Sequence, residues 1–345
     1  MKLSMQIAYA GGFKQAVDQV VELEKVGLDL VWVAEAYSFD APTQMGYLAA
    51  RTERVEIGSG ILPIYSRTPT LMAMTAAGLD ALSDGRCVLG IGASGPQVIE
   101  GFHGIAYDKP LGRTREVIDI CRKVWRRERL EHDGDSYTIP LPPEQGTGLG
   151  KPLKLINHPV RERIPIYVAS LGPKNVQMTA EKADGWLPLF YVPEKANDVW
   201  GEDLAIGAAK REDGLGPLDV VAGGIVAVGD GAEAARDFVR PMAALYIGGM
   251  GAKGRNFYND LVRRYGYEAE AEKIQDLYLD GKKDEAAKLV PADLLESMSL
   301  CGSEGYVKER LAAYKESGVT NLLINPVGPD PVALVGKVKG WIEDL

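Results

Sequence analysis

An α/β fold built on a parallel sheet, closed into a (β/α)8 or TIM barrel, is the architecture this sequence predicts. Three observations carry that prediction. Short apolar runs alternate with helical patterns along most of the chain. Eight such runs can be distinguished, and parallel neighbours need crossover connections of the kind that lie between them. The length of 345 residues suits one barrel with insertions, a fold that spans ~250 to over 400 residues. A doubly wound open sheet is the alternative arrangement of the same elements.

The elements follow in order. Leu3 to Tyr9 reads as a strand, and Phe13 to Val26 as a helix stopped by Gly27. Leu28 to Ala34 is a second strand, followed by a helix from Pro42 to Glu53 whose proline sits where a missing N–H matters least. Val55 to Leu62 is a third strand; a helix from about Pro69 to Leu82 ends in the Asp84-Gly85 turn. Val88 to Gly92 is a fourth strand and Pro110 to Arg127 a fourth helix. Residues from about 128 to 163 are rich in Pro, Gly and polar groups and read as a long excursion off the scaffold. Ile164 to Ala169 resumes as a fifth strand with a helix to Ala183, and Gly185 to Phe190 is a sixth. Val220 to Val228 is a seventh, followed by a helix from about Ala232 to Ile247. Residues 249–300 read as a helical insertion with a glycine-rich start. A helix over Glu304–Glu316, an eighth strand over Asn321–Asn325 and a closing helix over Pro331–Ile342 complete one domain.

Composition excludes several function classes. Apolar residues make up 46% and charged residues 25%, ordinary values for a globular chain. A net charge of −9 disfavours an extended phosphate-binding surface, so no nucleic-acid partner is expected. Cys87, Cys121 and Cys301 form no CxxC pair, which fits a reducing compartment without disulfides. His103, His132 and His158 show no ligand spacing, so no metal is expected. The N-terminus lacks a signal-peptide pattern, and no apolar stretch approaches the ~18 residues of a membrane span, so a cytoplasmic location is the expectation.

In a barrel the chemistry sits at the C-terminal ends of the strands. Glu35 follows the second apolar run, where partial burial raises a carboxylate towards acid/base use; a solvated loop residue or helix-cap partner is the bland reading. The third strand runs through Ser59, Gly60 and Ile61; glycines there mark a bulge or close approach to the backbone, or simply tight packing. Gly90-Ile91-Gly92-Ala93-Ser94-Gly95 matches G-x-G-x-x-G in form. It does not open the first βαβ unit, and Pro96 follows, so it reads as a loop near a ligand without a nucleotide-binding fold. The fifth strand ends in Ala169, Ser170, Leu171, Gly172, Pro173, Lys174 and Asn175, where free N–H groups at a helix start beside a lysine make a phosphate site.

Taken together these strand ends resemble the deazaflavin-dependent branch of the luciferase-like family, in particular its methylenetetrahydromethanopterin reductases. The resemblance spans nearly the whole chain. It is densest in Gly85-Arg86-Cys87-Val88-Leu89-Gly90-Ile91-Gly92, Lys109-Pro110-Leu111 and Arg113-Thr114-Arg115-Glu116, and returns in Ile164 to Ala169, Gly172-Pro173-Lys174, Ala183-Asp184-Gly185, Ser317 to Thr320 and Pro326 to Asp330. It implies a bacterial-luciferase-like barrel holding coenzyme F420, an 8-hydroxy-5-deazaflavin, across the mouth. It also implies a non-prolyl cis peptide at Gly60–Ile61 backing one face of the ring. The cofactor set so implied is Ser59, Gly60, Ile61, Gly92, Ala93, Ser94, Ala169, Ser170, Gly172, Pro173, Lys174 and Asn175, with FMN as the alternative cofactor because flavin-using relatives share the bulge. Where relatives often carry an Asp-His pair this chain has Glu35-Ala36.

The expected activity is therefore hydride transfer between the deazaflavin C5 and a small organic substrate, at a CH–NH or CH–OH group. Glu35 is the candidate catalytic group, and Tyr37, Tyr65, Phe190 and Asn325 are the candidate substrate pocket. An FMN-dependent monooxygenase and a non-catalytic cofactor-binding barrel are the competing readings, with a nicotinamide dehydrogenase last. A homodimer or higher homo-oligomer is expected, with no membrane partner.

Overall fold

The structure is a computed structural model and describes residues 1–8 and 11–345. Eight parallel strands form its centre: β1 (Lys2–Gln6), β2 (Leu30–Val33), β3 (Glu56–Ser59), β4 (Cys87–Gly92), β5 (Ile166–Val168), β6 (Gly185–Trp186), β7 (Asp219–Val228) and β8 (Asn321–Pro326). Each pairs with the next, and β8 pairs back to β1 with Lys2 opposite Asn321 and Met5 opposite Ile324. The sheet therefore closes as a (β/α)8 barrel, and the open-sheet alternative falls. Its outer layer is α1 (Phe13–Lys25), α2 (Ala41–Arg51), α3 (Pro69–Leu82), α4 (Pro110–Trp125), α5 (Pro173–Lys182), α6 (Pro193–Ala208), α7 (Glu304–Glu316) and α8 (Pro331–Glu343).

Alternation along the strands creates two cores. Outward residues such as Leu3, Val31, Ile57 and Ile91 pack beneath the helices. Inward residues Leu30, Trp32, Val88, Tyr167 and Val221 fill the barrel. The rings of Trp32 and Tyr167 meet at 5.5 Å and 56°. Their bulk fixes two neighbours: a Cβ on Gly58 would run into the Trp32 ring, and one on Gly185 into the Tyr167 ring. Truncating either ring to alanine would cost about 3–5 kcal/mol, as for large aromatic residues elsewhere.

Several helices start where the sequence marks a cap. Asp40 accepts from the Thr43 N–H at 2.9 Å, Thr68 from Leu71 at 3.2 Å and Asp330 from Ala333 at 3.0 Å, each with proline in the first turn. The start of α5 has proline but no side-chain cap. The excursion carries a short hairpin, His132–Asp133 against Thr138–Ile139, and its far end is tied down by Arg161, which pairs with the buried Asp80 and donates to the Cys87 carbonyl at 2.6 Å.

The structure departs from the expected elements in six places. The first strand ends at Gln6, and the expected end at Tyr9 lies outside the described residues. The third is interrupted after Ser59, and Leu62–Pro63 pairs separately with Ile91–Gly92. The sixth stops at Trp186, because Pro188 has no N–H to donate and Phe190 takes a left-handed φ of 57°. Between β6 and β7 lies α6, a helix of 16 residues that the sequence reading did not anticipate. The expected helix over 232–247 is a 3-10 segment (Ala232–Val239), one α-turn (Arg240–Ala244) and a π-turn (Leu245–Gly249), in which Gly248 and Gly249 admit the Tyr278 side chain. After the insertion, Leu300–Gly302 adds a short strand beside Val226–Val228.

Candidate active site

The strand ends form a mouth with a backbone platform at β3. The Gly60–Ile61 peptide is cis, as the resemblance implies. Gly60 donates to the Val33 carbonyl at 2.8 Å, which fixes the bulge against β2. Ser59 is fully buried, and its hydroxyl bridges the Gly90 carbonyl at 2.8 Å and the Gly90 N–H at 2.9 Å. That side chain stitches β3 to β4 and does not face a ligand. Gly90 is a packing glycine, since a Cβ there would collide with the Ser59 carbonyl. Gly92 lies against Ile61, at 3.2 Å from an added Cβ. Ile61 and Ala93 are half-buried, and Ser94 is exposed with a left-handed φ of 57°.

Glu35 does not stand free. Its carboxylate accepts two bonds from Arg67, at 2.5 and 2.8 Å, and a third from the Ala41 N–H at 2.9 Å. The two side chains are 9% and 11% exposed. Arg67 also reaches Asp40 at 2.6 Å. The cluster ties the loop after β2, the cap of α2 and the loop after β3 into one unit. A general acid or base needs a lone pair or proton available to substrate, and here the guanidinium occupies the carboxylate. The three bonds give Glu35 the geometry of a residue that positions these loops. Beside it, Tyr37 and Phe102 are 68% and 65% exposed with ring centroids 6.1 Å apart, giving the rim an apolar opening.

An arc of aromatic rings lines one side. Tyr65 stacks on Tyr107 at 5.2 Å, donates to the Asp108 carbonyl at 2.7 Å and lies under Arg113. It is 6% exposed, so it supports the wall and is not a free pocket residue. The Tyr107 hydroxyl donates to the Ser94 carbonyl at 3.3 Å. Phe190, in the loop after β6, packs edge-on against Tyr246 at 5.7 Å and Tyr258 at 6.0 Å, and its carbonyl accepts from Tyr265 at 2.8 Å. It too is a packed residue, 6% exposed. Burial, and then the neighbouring Tyr246 and Tyr107 hydroxyls, push the Tyr258 phenol well above its ordinary value.

At β5, Ser170 turns inward to Thr179 at 2.9 Å and is unavailable to a ligand. The start of α5 is different. Gly172 and Pro173 lead into it with no side-chain cap, Lys174 is exposed, and the Asn175 Oδ1 is buried without a partner among the described residues. The amide N–H groups of this first turn have no side-chain cap, the Lys174 ammonium adds positive charge beside them, and the Asn175 Oδ1 is an acceptor without a partner among the described residues. Phe257 lies 3.9 Å from where a Gly172 Cβ would stand, so the insertion reaches this end of the mouth. Asn325 is exposed at the end of β8.

A family profile described as luciferase-like monooxygenase matches residues 2–321. The chain belongs to the luciferase-like monooxygenase family. It is 42% identical over 332 residues to a Mycobacterium tuberculosis protein named for the coenzyme F420-dependent oxidoreductases, with 94% of each chain covered. To the 5,10-methylenetetrahydromethanopterin reductase of Archaeoglobus fulgidus it is 29% identical over 325 residues, 91% of each. The coenzyme F420-dependent tetrahydromethanopterin reductase of Methanopyrus kandleri shares the fold with a TM-score of 0.80 at 19% identity, covering 99% of this chain and 98% of that one.

In this luciferase-like chain the mouth gathers Gly60, Ile61, Ala93 and Ser94 from β3 and β4, Ala169 and Gly172 to Asn175 from β5, and Tyr37 and Asn325 at the rim. Arg67, Tyr107, Tyr246 and Tyr258 were missed. The signal for the last two lay in the insertion's glycine-rich start, which leads into Asn256-Phe257-Tyr258. Asn256 is 1% exposed; its amide donates to the Tyr246 and Ile247 carbonyls at 2.9 and 3.0 Å and accepts from the Tyr258 N–H at 3.0 Å. Among the described residues no cluster could hold a metal ion, and no helix is long and apolar enough to cross a membrane.

Proposed function

We propose that this protein is a coenzyme F420-dependent oxidoreductase that transfers a hydride between the deazaflavin C5 and a small organic substrate at the C-terminal mouth of its barrel. The observation that carries the reading is its likeness along nearly the whole chain to a protein named for such oxidoreductases. The residues present fit the cofactor. The uncapped start of α5, with Lys174 beside it, suits an anionic tail. The Gly60–Ile61 bulge, bare of bulk on the mouth side and backed by Trp32, suits a flat ring.

A bound deazaflavin supplies the hydride chemistry at C5 and does not readily activate oxygen. The chain would supply placement: Gly60 and Ile61 would support one ring face, the first turn of α5 would hold the anionic end, and the other face would be left to the substrate. Glu35 and Arg67 hold the loops around that face.

Equilibrium binding of the purified chain to deazaflavin, FMN and nicotinamide cofactors, side by side, tests the reading. Deazaflavin is expected to bind at least ~10-fold more tightly than FMN, ~1.4 kcal/mol. Equal or reversed affinities overturn the assignment.

A further inference from the structure

The Tyr258 hydroxyl is an uncommitted hydrogen-bond donor of the mouth. The ring is fully engaged: it meets Phe190 at 6.0 Å and Tyr246 at 4.7 Å, both edge-on. The backbone is pinned by the Asn256 cap. The hydroxyl has no hydrogen-bond partner among the described residues, although the side chain is half-buried. Other ring hydroxyls nearby are committed, Tyr65 to Asp108 at 2.7 Å and Tyr265 to Phe190 at 2.8 Å. Tyr258 therefore differs from its neighbours in keeping a donor unspent.

Its location is set by its neighbours. Phe190 lies in the loop after β6, and Tyr107, near enough to act on the Tyr258 phenol, is bonded to Ser94 in the loop after β4. Phe257, the adjacent residue, lies over the start of α5. The hydroxyl thus belongs to the wall facing the strand ends. That wall carries little charge to offer. Arg113, the cation that touches it, lies over Tyr65 and is paired with Asp108 at 2.8 Å. Arg67 is taken by Glu35 and Asp40. The opening beside it is aromatic, formed by Tyr37 and Phe102.

We propose that Tyr258 is the hydrogen-bond donor that orients the substrate, and that the substrate is an uncharged, largely apolar carbonyl compound or the corresponding alcohol. The inference rests on the deazaflavin reading above. A phenol held protonated presents a steady donor to a neutral oxygen, and the surrounding rings bury the apolar remainder. A sugar phosphate would need a cation beyond Lys174, which the anionic end of the cofactor takes on that reading.

The test uses deazaflavin-saturated protein and three probes in ligand-detected NMR titrations: acetophenone, ethylbenzene as its isostere without an acceptor, and glucose 6-phosphate. Tyr258→Phe keeps the ring packing, and its unfolding midpoint is measured alongside. The variant is expected to bind acetophenone about fivefold more weakly, the worth of one ordinary hydrogen bond of ~1 kcal/mol. Its affinity for ethylbenzene and for deazaflavin should be unchanged. Equal losses for both aromatic probes, or no loss for either, overturn the role of Tyr258. Preferential binding of glucose 6-phosphate overturns the substrate class. Deazaflavin affinity is read first by cofactor fluorescence: failure of the unmodified chain to bind it overturns both readings, whereas intact binding with unmoved acetophenone affinity overturns Tyr258 alone.

Discussion

Replacing Glu35 by glutamine separates a positioning carboxylate from a catalytic one. The carboxylate receives two guanidinium bonds and one backbone bond, and both charged side chains are about nine-tenths buried. Removing one partner of a buried pair costs about 3–5 kcal/mol when the other is left uncompensated. Arg67 is not left so, because Asp40 stays at 2.6 Å, although that carboxylate is 51% exposed and screened. Glutamine also keeps an acceptor for Ala41. A loss of about 2 kcal/mol is therefore expected, which lowers the melting midpoint by roughly 3 °C in a chain of 345 residues. Turnover per folded molecule at a temperature where both proteins are folded should fall less than tenfold. Thermal unfolding by circular dichroism and steady-state oxidation of reduced deazaflavin are the two assays. An unmoved midpoint with turnover down by the ~100- to 10,000-fold of lost acid–base help would refute the positioning role. A double-mutant cycle sharpens the result: Glu35→Leu with Arg67→Met should be more stable than either single variant, since no buried charge is stranded.

Two further predictions follow from packing and charge. Gly60→Ala points its methyl at the Trp32 side chain, 3.2 Å away, so it should destabilise by about 1–3 kcal/mol, with cofactor affinity less affected than stability; Gly90→Ala, whose methyl meets the Ser59 carbonyl, should do much worse, and equal unfolding midpoints for the two would contradict the packing account. Glu181 is held below its ordinary 4.5, chiefly by its bonds from Arg115, so the pair stabilises the fold above about pH 4.5 and this contribution is lost as pH falls through the lower folded value. Glu181→Gln should flatten that part of the acid limb in urea melts; an unchanged slope would show that the pair carries no pH-dependent stability.

The barrel was legible because its signals are local. Apolar runs of strand length, Thr68-Pro69 and Asp330-Pro331 at helix starts, and Asp84-Gly85 at a helix exit each declare themselves within a few residues. What failed was non-local. Helix α6 has weak amphipathic contrast and buries Trp200 in a cluster with Trp186 and Tyr191, contacts no window of sequence displays. Glu35 was visible as a residue at the strand end, but its pairing was not, because its partner Arg67 lies 32 positions away. The glycines of β3 and β4 were visible, but whether each yields to a ligand or to a neighbour depends on which ring points inward, and Trp32 decides that for Gly58 and Gly60.

The same contrast explains how labour is divided at the mouth. Strand ends are fixed by hydrogen-bonded register, so the platform at Gly60–Ile61 and the amides of α5 occupy positions the barrel itself dictates. They suit a cofactor, whose geometry is constant. The insertion is joined to the barrel through rings: Phe257 over Gly172, and Tyr246 and Tyr258 around Phe190. Ring packing constrains shape but leaves polar atoms uncommitted. A mouth hydroxyl with no partner in the protein can turn from solvent to a ligand acceptor. On the proposed reading substrate choice lies in the insertion and cofactor choice in the strands, so exchanging side chains on Phe257–Arg264 should alter which compounds bind before it alters which cofactor does.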